Sequence, residues 1–321
     1  MSHQKSILIS GASYDALNNN SVLRSYVTEG FQEILGADQV HQVALDYVIE
    51  GLEKYKPDIL LMFGSCMPDD ISYQAVKKHC QTHDILLSFW LHDDPYEIDY
   101  RFKVEDVADV IFSNDKWASQ YYAHPHVFHM PLAASKKTHF RQVTDQFEND
   151  IFFCGVAFAN RVQLIKDLAP VLSKYKTVIR GAEWPVNLAD YVVNQTISNE
   201  KLIEYYGNSR ITLNVGRHFD YANNRFQLVP STPGPRTFEA AMAGAVQFFF
   251  TESLEILDYY EDGTEIVLFD SVSDFGKQLE KLYDDPQSLV KIGQAAQQKT
   301  LAQHSYANRA ASILDILAQH S

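Results

Sequence analysis

Arg236 and Glu239 stand three residues apart just after Pro233, Gly234 and Pro235. A helix starting near Arg236, with Thr237 as a possible cap, would turn its free N–H groups toward an anion. The planar guanidinium suits phosphate oxygens, and a carboxylate one turn on suits sugar hydroxyls. Together the pair can hold a nucleotide by its phosphates and its ribose. The plainer alternative is a surface ion pair at i, i+3, which contributes about 0.2–0.5 kcal/mol. Arg161 opens a second helix after a loop at Gly155, and Arg180 and Arg217 follow apolar runs. Asn214 closes one such run and either reaches a ligand or shapes a turn. Trp184 either lies against a base or ribose or packs in a core.

A second group of residues offers acid–base chemistry. His92, Asp93 and Asp94 come directly after an apolar strand and before Pro95. A carboxylate there can take the proton of an attacking hydroxyl, so Asp93 or Asp94 is the expected base and His92 the second candidate. An aspartate before a proline can equally cap a turn. The Asp–Asp pair hints at a divalent ion, but it offers too few ligands for a metal site. His124, His126 and His129 fall on both faces of an extended segment, lack a fourth ligand, and predict no zinc. Gly11-Ala12-Ser13 lacks a full dinucleotide fingerprint. The chain has no GxSxG elbow, HExxH or P-loop lysine.

These residues need elements to hold them. Strand signals at Ser6–Ser10, Ile59–Phe63, Ile85–Leu91 and Val110–Phe112 alternate with helices at Ser21–Leu35, Leu45–Tyr55, Ile71–Cys80 and near Trp117–Tyr122, the first of them with Val22, Tyr26, Phe31, Ile34 and Leu35 on its buried side. Strands then recur at 151–155, 176–180, 210–215, 245–250 and 265–269, and helices at 161–172, 273–283, 286–304 and 306–319. This alternation predicts parallel sheets with right-handed crossovers. Ligands of open α/β sheets bind at the carboxyl ends of strands. The loops at Gly11, Gly64, His92 and Ser113, with Ser13 and Ser65, should therefore line one edge. Residues 133–149 are polar and aperiodic and read as a linker. The expected division is 1–135 and 136–321, with the last helix able to pack back on the first domain.

The 321 residues are 46% hydrophobic and 12% aromatic, enough for two cores. A net charge of −14 argues against a nucleic-acid partner, which needs basic surface. The three cysteines form no CxxC pair and predict no disulfide framework. The sequence shows neither a signal-peptide core nor an integral membrane segment, so a soluble cytoplasmic protein is expected.

Several motifs together resemble the CgeB-like (spore-maturation-protein-like) branch of the GT-B glycosyltransferases. Pro235 to Gly244 resembles its arginine–x–x–glutamate segment with a closing glycine, and Leu254 to Phe269 its next helix and strand. His304, Tyr306 and Arg309 are similar to its His–x–Tyr–x–x–Arg ending. Phe153 to Gly155 with Arg161, and Trp90 to Pro95, also fit. The resemblance implies two Rossmann-like domains facing a central cleft, the first for the acceptor and the second for the donor. It implies that Glu239 binds ribose hydroxyls and that Arg236, Arg161 and the Gly155 loop face a diphosphate. Thr237, Asn214, Arg217 and Trp184 complete the expected donor side, and Gly11, Ser13 and Ser65 the acceptor side. The expected reaction moves a sugar from a nucleoside-diphosphate sugar, UDP-sugar by default, to a hydroxyl, with neither metal nor cofactor. A sugar, a protein or a small metabolite is the expected acceptor. Ser231 stands where many such enzymes carry a second glutamate, eight positions before Glu239, which leaves the donor-sugar contacts unassigned. A non-catalytic nucleotide- or sugar-binding protein is the alternative, and a two-domain small-molecule receptor the third reading.

Overall fold

The computed structural model describes residues 5–15, 20–65, 71–218 and 221–320. Cys66 lies outside the described residues. Two compact units emerge: Met1–Leu132 with Asp220–Thr232 and Tyr306–Ser321, and Ala133–Phe219 with Pro233–Ser305.

The first unit contains β1 (Ile7–Gly11), α1 (Asn20–Leu35), β2 (Val40–Val43), α2 (Val48–Tyr55), β3 (Ile59–Gly64) and α3 (Gln74–Thr82). β4 (Leu86–Leu91), α4 (Phe102–Glu105), β5 (Val110–Ser113) and β6 (Val127–His129) follow. Among the described residues its strands form a parallel sheet in the order β2-β1-β3-β4-β5-β6. β1 and β3 are buried along their whole length, as their unbroken apolar runs require of strands covered on both faces. Phe63, Phe89, Trp90 and Phe112 fill the core.

The second unit contains α5 (Lys136–His139), β7 (Asn149–Cys154), α6 (Ala159–Leu172), β8 (Thr177–Gly181), β9 (Val192–Asn194) and α7 (Asn199–Gly207). It continues with β10 (Ser209–Asn214), α8 (Pro235–Met242), β11 (Gln247–Phe250), β12 (Val267–Phe269), α9 (Val272–Tyr283) and α10 (Pro286–Gln303). Its described strands run parallel in the order β12-β11-β10-β7-β8-β9. Phe152, Phe248, Phe269 and Phe275 are among its large buried side chains. The last helix, α11 (Tyr306–Leu317), belongs to the first unit.

Each sheet reverses its winding once, between β1 and β3 in the first unit and between β7 and β10 in the second. Crevices at such reversals are where open α/β sheets take ligands. α8 begins with Pro235 in its first turn and is followed by Gly244 at φ +74°, the proline-start and glycine-stop asymmetry of stable helices. Gly181 stands at φ +143°, and a Cβ there would lie 1.9 Å from the Gly155 carbonyl oxygen. Only glycine lets β8 approach the loop after β7 so closely.

Four details differ from the sequence reading. β2 and β9 are short and partly exposed, so they carried no apolar run to mark them. The helix expected near 117–122 is a single tight turn over Ala118–Tyr121. The polar stretch read as a linker holds α5, whose His139 is fully buried. Residues 221–232 return to the first unit, where the Asp99 carboxylate accepts the N–H groups of Asn224 and Arg225 and that of Asp115 accepts those of Ser231 and Thr232.

Candidate active site

The second unit gathers its candidates at the carboxyl ends of β7 and β10. Arg236, in the first turn of α8, is half exposed, and its guanidinium donates to Glu239 Oε2 at 2.8 Å. Glu239 is itself only 4% exposed. Its other oxygen faces His139 Nε2 at 3.8 Å. The Ser135 N–H donates to His139 Nδ1 at 3.0 Å, so the ring proton of the neutral form sits on Nε2, toward the carboxylate. Ser135 also caps α5 through its hydroxyl, which accepts the Thr138 N–H. The short helix thus orients the histidine behind the glutamate. Asn214, at the end of β10, donates to Thr237 Oγ1 at 3.0 Å and to Gln247 Oε1 at 2.7 Å, tying the strand to the start of α8.

Arg161 points to the protein's own backbone. It donates to the carbonyls of Val156, Val215 and Gly216 at 2.9–3.1 Å and lies over the rings of Phe153 and Phe158. It therefore bridges the loops after β7 and β10, and Gly155 sits beneath it: a Cβ there would meet the guanidinium at 2.8 Å. Burial pushes the Cys154 thiol up, against the pull of Arg236, Arg161 and Arg180. Three guanidiniums thus bear on the end of one strand. Arg217 is half-buried on the loop after β10. Trp184 is buried in the core, edge-on to Phe153, with its indole N–H donated to the Gly155 carbonyl at 3.2 Å. It faces inward and supports the loop from below.

In the first unit, His92, Asp93 and Asp94 follow β4 as the sequence places them. Asp94 is buried and accepts from Ser113 Oγ at 2.6 Å and Tyr122 OH at 2.7 Å, while its N–H donates to Asn114. Burial pushes its carboxyl up to about 7. Asp93 keeps more solvent access, with its side chain 22% exposed and 3.3 Å from His92 Nδ1. Glu97 is buried, and the Ser65 hydroxyl lies 2.6 Å from both its carboxylate oxygens. Burial, reinforced by Asp93, raises its carboxyl far above the usual range. Asp93, Asp94, Glu97, Arg101 and Tyr122 line one small cavity. Gly11, the last residue of β1, and Ser13, on the loop after it, are buried, and an Arg24–Asp15 ion pair closes that loop.

Sequence reasoning missed His139, Glu97 and Tyr122. None repeats with a helical or strand period, and each acts through a partner distant along the chain. Of the three histidines, His124 has one ring nitrogen on the Ala108 carbonyl and the other accepting the His126 N–H.

A family model described as glycosyl transferase-like matches residues 161–315. Spore protein CgeB of Bacillus subtilis is 24% identical over 265 residues, which cover 78% of this chain and 80% of that protein. The structure is similar to that of Anabaena HepE in complex with UDP and glucose, with a TM-score of 0.63 at 9% identity, covering 98% of this chain and all of that one. Sucrose-phosphate synthase from Thermosynechococcus elongatus superposes with a TM-score of 0.65 at 12% identity over 99% of both chains. The two doubly wound sheets are those of the GT-B fold.

Proposed function

We infer that this chain, which belongs to the glycosyl transferase-like family and is an enzyme of glycosyl transfer, takes its sugar from a nucleoside diphosphate and delivers it to an acceptor hydroxyl. The observation that carries the donor half is the Glu239 carboxylate, held between Arg236 and His139 at the start of α8. HepE has been crystallised with UDP and with UDP-glucose, which favours a UDP-sugar here.

The roles follow from the chemistry of displacement. The acceptor oxygen bonds to the anomeric carbon as the bond from that carbon to the phosphate oxygen breaks. The leaving diphosphate takes the electron pair and needs oriented positive charge. Arg236 and the N–H groups at the start of α8 supply it, so no metal is required of the reaction. Glu239 accepts from the ribose hydroxyls. Arg161 is a positioning residue: it fixes the loops that flank the crevice. Asp93 takes the acceptor's proton, because it keeps solvent access and lines the cavity. Asp94, enclosed by Ser113, Tyr122 and Asn114, holds the loop that presents it. A sugar, protein or small metabolite is the acceptor class, and the cytoplasm the place of reaction. No helix among the described residues is long and apolar enough to cross a membrane.

Thermal stability measured against UDP, GDP, ADP, dTDP and CMP, with and without a divalent ion, tests the donor reading. A ligand at 100 times its dissociation constant adds about 2.7 kcal/mol to the folded state. One diphosphate should stabilise the protein without metal, and Glu239→Ala should weaken that ligand by at least about tenfold. Stabilisation by none of them would sink the reading.

A further inference from the structure

We propose that Glu252, together with His218 and Asn160, forms the subsite that reads the hydroxyls of the donor sugar. The proposal rests on the assignment of this edge to a nucleotide-sugar, and it gives that sugar a place. Ser231, eight positions before Glu239, cannot supply a carboxylate, and its N–H and hydroxyl are held by Asp115 in the first unit. Glu252 comes two residues after β11, the strand paired with β10. Its Oε1 lies 3.2 Å from His218 Nε2 and 3.4 Å from Asn160 Nδ2. The Asn160 amide also donates to the Gly216 carbonyl, and its oxygen accepts the His218 N–H. The three side chains therefore form one bonded set drawn from α6, the loop after β10 and the loop after β11.

The second observation is the backbone beneath them. The other carboxylate oxygen of Glu252 lies 2.2 Å from where a Cβ on Gly216 would stand. Any side chain at that position would push the carboxylate away, so glycine admits it to the mouth of the β7–β10 crevice. This is the point where the winding of the sheet reverses. The site is built yet open, with Glu252 18% exposed and His218 53% exposed.

The chemistry selects the ligand. A carboxylate repels a diphosphate, whose charge Arg236 meets at the start of α8. What suits a carboxylate held in place by an imidazole and an amide is a pair of neighbouring hydroxyls, both of which donate to it. The nucleotide bears such a pair on its ribose, which Glu239 takes, and its sugar bears another.

Calorimetric titration of the wild type and of Glu252→Gln with UDP and with UDP-glucose separates the possibilities. Loss of a charged acceptor should weaken UDP-glucose by about tenfold or more and leave UDP within about twofold. His218→Ala, at an exposed position that cannot unfold the chain, should shift the two ligands in the same unequal way. Equal weakening of both ligands, or no change in either, would overturn the subsite while the donor reading stands. A wild type that binds neither ligand would overturn the subsite together with the assignment of a UDP-sugar.

Discussion

Residue chemistry in this protein is set by burial more than by residue type. Asp93 and Asp94 are neighbours in the sequence, yet one keeps solvent access and the other is enclosed by two hydroxyls and an amide. The enclosed carboxyl rises from 3.8 to about 7. Between about pH 4 and pH 7 the folded chain therefore keeps a proton that the unfolded chain gives up, and stability falls as pH rises through that window. Glu97 acts in the same direction. Asp94→Asn keeps an acceptor for Ser113 and Tyr122 but cannot ionise. Denaturant unfolding from pH 4.5 to 8 should show the variant gaining on the wild type as pH rises, with the difference level above about pH 7. A constant difference across the range would show that Asp94 does not titrate there. The aspartates themselves were legible in the sequence, because strand, polar loop and proline follow in order. Which of them stays accessible was not, since that depends on Ser113 and Tyr122, far along the chain. His139 was hidden for the same reason: in a polar stretch nothing marks a residue that will be buried against Glu239.

At the scale of elements, apolar runs predicted the central strands and failed at the edges. β3 and β11 are covered on both faces and read as nearly unbroken hydrophobic segments, whereas β2 and β9 are not. α1 was legible as a helix, and its buried side only in part. Tyr26 and Phe31 face inward as read, together with Val27, whereas Val22 and Ile34 are 40% and 45% exposed. Its face is chosen by Gly30, where a Cβ would lie 2.5 Å from the Tyr306 backbone. No local pattern encodes such a partner. The same kind of contact makes a prediction in the second unit. Gly181 combines a left-handed φ with an approach to Gly155 that leaves no space for a methyl group. Gly181→Ala should cost at least about 3 kcal/mol, and it should displace the Gly155 loop under Arg161. Equilibrium unfolding measures the first effect, and amide exchange over 155–161 the second. An unperturbed loop would show that the two strands are not pressed together.

At the scale of the whole molecule, the chain passes between its two units after Leu132, within 219–220, after Thr232 and after Ser305. Two domains of parallel sheet were legible from the alternation of strands and helices. The return of 221–232 was not, because that stretch is polar and aromatic without a period and is fixed by Asp99 and Asp115. Removing residues 306–321 should strip α1 of its neighbour. Tyr306, Ala310, Ile313 and Leu317 are buried, and Arg309 donates to the Pro131 carbonyl at 2.9 Å. The loss should exceed about 5 kcal/mol in the first unit. Hydrogen exchange should then show β3 unprotected while β10 keeps its protection; equal protection of both would refute the division. The same feature bears on synthesis. The N-terminal strands leave the ribosome first, yet the face of α1 around Tyr26 and Gly30 waits for the last helix described. The described elements of the second unit end at α10, one helix earlier. A nascent chain thus carries an uncovered face of α1 through the synthesis of the whole second unit.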